Sequence, residues 1–66
     1  MKVYRVGDRY LLECDYEDRK IPGSNGWRFD RDTKIWWTDN INNVKKIKKY
    51  NIKISEEVLR EMINEG

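Results

Sequence analysis

The sequence predicts an α+β fold: a small antiparallel sheet of about four strands, built from two hairpins, followed by two short helices. Three observations carry this. Two pairs of alternating or aromatic-rich stretches flank the turn signals Gly7-Asp8 and Asp30-Arg31-Asp32-Thr33. Beyond Asp39 the apolar spacing lengthens to three and four residues, the helical period. The chain has 66 residues, room for a single small domain over 1–66.

Met1–Val6 and Arg9–Tyr16 read as the first hairpin, with glycine at the first central position of a type II′ turn. In that register Val3 faces Leu12, Arg5 faces Tyr10 and Met1 faces Cys14. Tyr16–Gly26 reads as a loop, because Pro22-Gly23 and Asn25-Gly26 are turn signals, with Ile21 as its anchor to the core. Trp27–Phe29 and Lys34–Thr38 read as the second hairpin. A loop of odd length pairs Asp30 with Lys34, Phe29 with Ile35, Arg28 with Trp36 and Trp27 with Trp37. That register is preferred because it sorts the two faces. Trp27, Phe29, Ile35 and Trp37 share one, and Arg28, Asp30, Lys34, Trp36 and Thr38 the other.

Asp39-Asn40 caps a helix expected to run to about Tyr50, with Ile41, Val44, Ile47 and Tyr50 as its apolar stripe. Asn51–Ile54 turns or extends. Ser55 caps a second helix with Glu56 and Glu57 in its first turn, where acids suit the helix dipole. Val58, Leu59, Met62 and Ile63 form its buried stripe.

Composition narrows the function. Charged residues make up 39% of the chain and its mean hydropathy is −1.01, and no apolar run exceeds three residues, which excludes a membrane-spanning helix. The N-terminal residues lack the apolar stretch of a secretory signal. Cys14 is the only cysteine, so no internal disulfide forms, and a reducing, cytoplasmic or nucleoid-associated setting is expected. There is no histidine, which removes the commonest metal ligand and general base. Asp30 and Asp32, or Asp15, Glu17 and Asp18, read as turn formers rather than metal ligands. No enzyme activity, metal or cofactor is expected, and Cys14 reads as a small buried hydrophobe.

The net charge is +2, but it is unevenly spread. Residues 1–39 carry eight basic and eight acidic side chains. Residues 40–54 carry Lys45, Lys46, Lys48, Lys49 and Lys53 and no acid. Residues 55–66 carry Arg60 against Glu56, Glu57, Glu61 and Glu65. Lys45 and Lys49 repel one another at the i,i+4 spacing, which favours a polyanion partner over a purely solvated face. The bland alternative is that the acidic second helix supplies their counter-charges.

The run Tyr16, Pro22-Gly23, Arg28-Phe29-Asp30, Lys34 and Trp36 resembles the pattern of the HARP domain, found beside the motor of annealing helicases in the Swi/Snf superfamily. The resemblance covers roughly residues 9–50. It implies binding to branched or single-stranded DNA in support of a helicase, primase or repair enzyme. It assigns Pro22, Gly23, Phe29, Asp30 and Trp37 to the framework of the motif.

The expected nucleic-acid contacts are therefore Arg28, Lys34 and Trp36 on one face of the second hairpin, joined by Lys45, Lys46, Lys48 and Lys49. An exposed tryptophan beside cations grips a single strand, with bases stacked on the ring and phosphates met by the charges. Either Trp36 does this or it lies buried under a helix. The Gly23-Ser24-Asn25-Gly26 stretch reads as a plain turn, lacking the Walker spacing. The competing reading is a protein-interaction module using Trp36, Trp37 and the acidic helix. Small-molecule substrates and membranes are not expected as partners.

Overall fold

Lys2–Val6 (β1) and Arg9–Glu13 (β2) pair antiparallel, with Val3 opposite Leu12 and Arg5 opposite Tyr10, as expected. Gly7 takes φ 63° while Asp8 stays at negative φ, the pattern of the II′ turn. The computed structural model describes residues Met1–Glu65, and for Glu65 the backbone alone; Gly66 lies outside the described residues.

The segment expected as a loop holds two helical turns. Tyr16–Asp18 is a 3₁₀ turn and Lys20–Gly23 (α1) is a single α-helical turn. Pro22 sits within the first turn of α1, where its missing N–H breaks no helical bond. Its ring is fully buried. Its carbonyl accepts from the N–H groups of Asn25 and Trp27. Pro22-Gly23 thus closes a helical turn instead of forming a β-turn. Ile21 does pack against the core.

Arg28–Asp30 (β3) and Ile35–Thr38 (β4) form the second hairpin, one residue out of the expected register. Arg28 lies opposite Trp37, Phe29 opposite Trp36 and Asp30 opposite Ile35. The loop is Arg31–Lys34, even in length. Lys34 closes it at φ 59°, its N–H donating to the Asp30 carbonyl at 2.7 Å. An Asp30 carboxylate oxygen accepts from the Asp32 N–H, so Asp30 is a turn former. Pairing with β2 decides which face is inner. It sets Trp36 beside Leu12 and Thr38 beside Tyr10, on the core side, and Trp37 beside Leu11 on the other. The slip leaves Trp27, Arg28, Phe29 and Asp30 on their expected faces and moves every β4 side chain to the opposite one, so that Trp36 turns inward and Ile35 and Trp37 outward.

Asn40 caps Ile41–Ile47 (α2), its side-chain oxygen accepting from the Asn42 N–H at 2.9 Å. Val44 and Ile47 are fully buried and Ile41 packs beside them. The helix stops at Ile47, short of the expected Tyr50. There the chain turns back, and Ile52 and Ile54 reach the core. Tyr50 is exposed. Lys53–Ile54 (β5) pairs parallel to β1, with Lys53 beside Lys2 and Ile54 beside Val3. The sheet is therefore mixed and five-stranded, in the order β3-β4-β2-β1-β5. Since β4, β1 and β5 run the same way, β4–α2–β5 is a crossover over two strands, and α2 covers the face it crosses.

Glu56–Glu65 (α3) buries Val58 and Met62 against that same face, with Leu59 beside them. Ile63, expected in the stripe, points outward. Glu61 reaches back to the sheet, pairing with Arg5 and accepting from the Tyr10 hydroxyl. No described helix is long and apolar enough to cross a membrane.

Ser55 stands at the start of α3, its carbonyl accepting from the Leu59 N–H. Its hydroxyl, however, is buried without a hydrogen-bond partner. An ordinary cap serine costs about 1 kcal/mol to remove. Ser55→Ala is expected to leave stability unchanged or to raise it by up to about 1 kcal/mol, because it removes an unsatisfied buried group. A urea-unfolding midpoint that falls by the usual cap penalty would show that the hydroxyl caps after all.

Candidate nucleic-acid interface

The helices cover one face of the sheet and leave the other bare. The side chains of the covered face, Val3, Tyr10, Leu12 and Trp27, belong to the core cluster with Val44, Ile47, Val58 and Met62. Tyr4, Leu11, Ile35 and Trp37 belong to the opposite face and lie outside that cluster, half-buried by their strand neighbours.

On the bare face the register aligns Arg28, Trp37, Leu11 and Tyr4 in one row across β3, β4, β2 and β1. The Arg9 guanidinium lies 4.2 Å from the centre of the Trp37 ring system and that of Arg28 lies 5.8 Å from it. Lys2 stands 5.9 Å from the Tyr4 ring. Lys53 lies beside Lys2 on β5. Four cations, Lys2, Arg9, Arg28 and Lys53, thus face two acids, Glu13 and Asp30. The ion pairs found among the described residues are Arg5–Glu61 and Arg60–Glu56, and neither includes any of these four cations.

The expected partners Arg28 and Trp36 are on opposite faces. Trp36 faces the helix side, where a Cβ on Gly23 would sit 3.6 Å from its ring. Its ring lies 5.1 Å from that of Phe29, tilted by 57°. Trp36, Phe29 and Lys34 line a cleft of about 470 Å³ at the β3–β4 end of the sheet, closed by Cys14, Asp15, Tyr16 and Arg19. Burial, then the carboxylates of Asp18 and Asp15, push the Cys14 thiol up from its ordinary range, so it stays protonated at neutral pH.

The lysines of the 45–49 segment lie on the helix layer, apart from Arg28 and Trp37. Lys46, Lys48 and Lys49 are exposed. Lys45 and Lys48 border a groove of about 270 Å³ over Leu59, Met62 and Ile63 between α2 and α3. None of them is ion-paired among the described residues. Pro22 and Gly23 lie in α1 beside Trp36, Asp30 opens the β3–β4 turn, and Trp37 stands outside the cleft, on the bare face of β4.

Arg9, Tyr4, Leu11 and Lys2, which meet on this face, are not among the contacts expected from the sequence. Their signal was present: with Val3 and Leu12 inward, Tyr4 and Leu11 are apolar residues on what should be the polar face of the first hairpin. Comparison of the chain with protein-family models, with curated proteins and with solved structures returns no match, so the likeness to the HARP domain rests on the motif residues alone.

Proposed function

We propose that the chain is a non-catalytic nucleic-acid-binding module. It holds single-stranded or forked DNA across the bare face of its sheet, as an accessory to a helicase, primase or repair enzyme. The observation that carries this reading is Trp37 flanked by Arg9 and Arg28, in a row with Leu11 and Tyr4. Aromatic rings on an open sheet take unpaired bases by stacking, at about 1–3 kcal/mol per base, and flanking arginines and lysines take the phosphates. A duplex hides its base faces and offers less to this surface. The accessory role follows from the resemblance of the Pro22–Trp36 motif.

The test is fluorescence anisotropy with labelled single-stranded, duplex and forked DNA over a range of salt. Single-stranded and forked DNA are expected to bind more tightly than duplex. If the four cations each meet a phosphate, log K should fall against log salt with a slope of about −2.8. Tyr4, Leu11, Ile35 and Trp37 also make an apolar strip, which is what the protein-interaction reading draws on. Binding that ignores salt, or no binding at low salt, would favour that alternative.

A further inference from the structure

We propose that the cleft between Tyr16, Phe29 and Trp36 takes one unpaired nucleobase from the bound strand. This rests on the nucleic-acid reading above and adds a second site to it, on the other side of the sheet edge.

The cleft has the size of a small-ligand site, which runs from roughly 300 to 1,000 Å³. Phe29 and Trp36 form a tilted corner of two rings. Tyr16 lines the cleft with them and is 77% exposed, while Phe29 is 45% exposed. Aromatic surface left bare around a concavity is a site for a flat, apolar-faced ligand. The Arg19 guanidinium lies 3.9 Å from the Tyr16 ring centre and donates to the Tyr16 carbonyl at 2.9 Å, which fixes both groups at the rim. Lys34 supplies a second cation, for a flanking phosphate. Asp15 supplies an acceptor at the rim, and every common base carries an N–H donor on its edge.

The edge strand β3 explains how a strand could serve both sites. Successive residues of a strand point to opposite faces. Arg28 therefore points to the bare face beside Trp37, and Phe29, next in sequence, points into the cleft. Only β3 separates them, and it is the last strand of the sheet. A single strand that passes Trp37 and Arg28 has one narrow edge to turn around before its next base meets Phe29.

Cys14 lines the cleft and is the only cysteine, so its alkylation reports on the cleft alone. The experiment measures the rate of maleimide modification by mass spectrometry at mildly alkaline pH. It compares free protein, protein saturated with a short oligodeoxycytidine, and protein with an abasic oligonucleotide of equal length, matched for occupancy by anisotropy. The base-bearing strand is expected to slow modification by about five-fold or more, and the abasic strand much less. Phe29→Leu, which keeps apolar bulk but not a ring, should lose most of the protection. Lys34→Gly should weaken it without harming the fold, since glycine accepts the positive φ of that position. Binding by anisotropy with no protection of Cys14 would overturn the cleft site and leave the sheet-face reading standing. Equal protection by the abasic strand would overturn it too. Absence of any binding would overturn both.

Discussion

Gly26→Ala is expected to destabilise the protein by about 2–4 kcal/mol, a large part of what a chain of this length has, roughly 3–10 kcal/mol. Two independent costs add. Gly26 has φ 85°, a backbone region that costs an L-residue about 1–2 kcal/mol. A Cβ there would also stand 2.8 Å from the Asn43 side-chain oxygen and 3.0 Å from its nitrogen. Asn43 is not free to retreat. Its side-chain nitrogen donates to the Thr38 hydroxyl at 2.8 Å and to the Gly26 carbonyl at 3.3 Å. Its carbonyl accepts from the Trp27 indole N–H at 3.1 Å. The Thr38 hydroxyl is buried and also accepts from the Asn40 N–H beside the α2 cap. Displacing Asn43 therefore disturbs β3, β4 and α2 together, and a lost bond of this kind costs about 1 kcal/mol more. Gly7→Ala is the control. Gly7 has φ 63° but open space around it, so only the backbone cost of about 1–2 kcal/mol applies. Urea unfolding followed by tryptophan fluorescence measures both. Asn43→Ala in the Gly26→Ala background should recover part of the loss. Equal costs at Gly7 and Gly26 would show that Asn43 yields freely.

These contacts also mark where reading from sequence succeeds and fails. The first hairpin was legible because Gly7 codes its own turn and Val3 and Leu12 alternate cleanly with polar neighbours. The Asn40 cap and the Val44–Ile47 stripe were legible for the same local reasons. The second hairpin was not. Its loop length depends on Lys34 in a left-handed conformation, which neither glycine nor asparagine announces. Its inner face depends on β2, far away in sequence. β5 is two residues long and exists only because β1 offers it an edge. The same slip redrew the site. Arg28 was expected beside Trp36 and stands beside Trp37, so a cation and a tryptophan do meet on an exposed face, but with a different tryptophan. The cleft joins Tyr16 to Phe29 and Trp36 through tertiary packing, which no spacing in the chain encodes.

The two tryptophans therefore make the sharpest functional comparison. Trp37→Ala should weaken single-stranded DNA binding by about tenfold or more, the loss of one stacked base and of the ring that Arg9 and Arg28 flank. It should cost only about 1 kcal/mol in stability, because Trp37 lies outside the core cluster. Trp36→Ala should cost more in stability and less in affinity. Trp36 packs on the core, faces Phe29 and lies under Gly23, and removing such a ring costs about 2–4 kcal/mol. Measured on the folded fraction, its affinity should fall less than that of Trp37→Ala. Arg9→Gln and Arg28→Gln give an orthogonal check, since each should flatten the salt slope by about 0.7. If Trp36→Ala abolishes binding while Trp37→Ala and both arginine variants leave it intact, the strand lies on the helix side of the sheet. The contacts would then be the cleft and the lysines Lys45, Lys46, Lys48 and Lys49, and the bare face would belong to a protein partner.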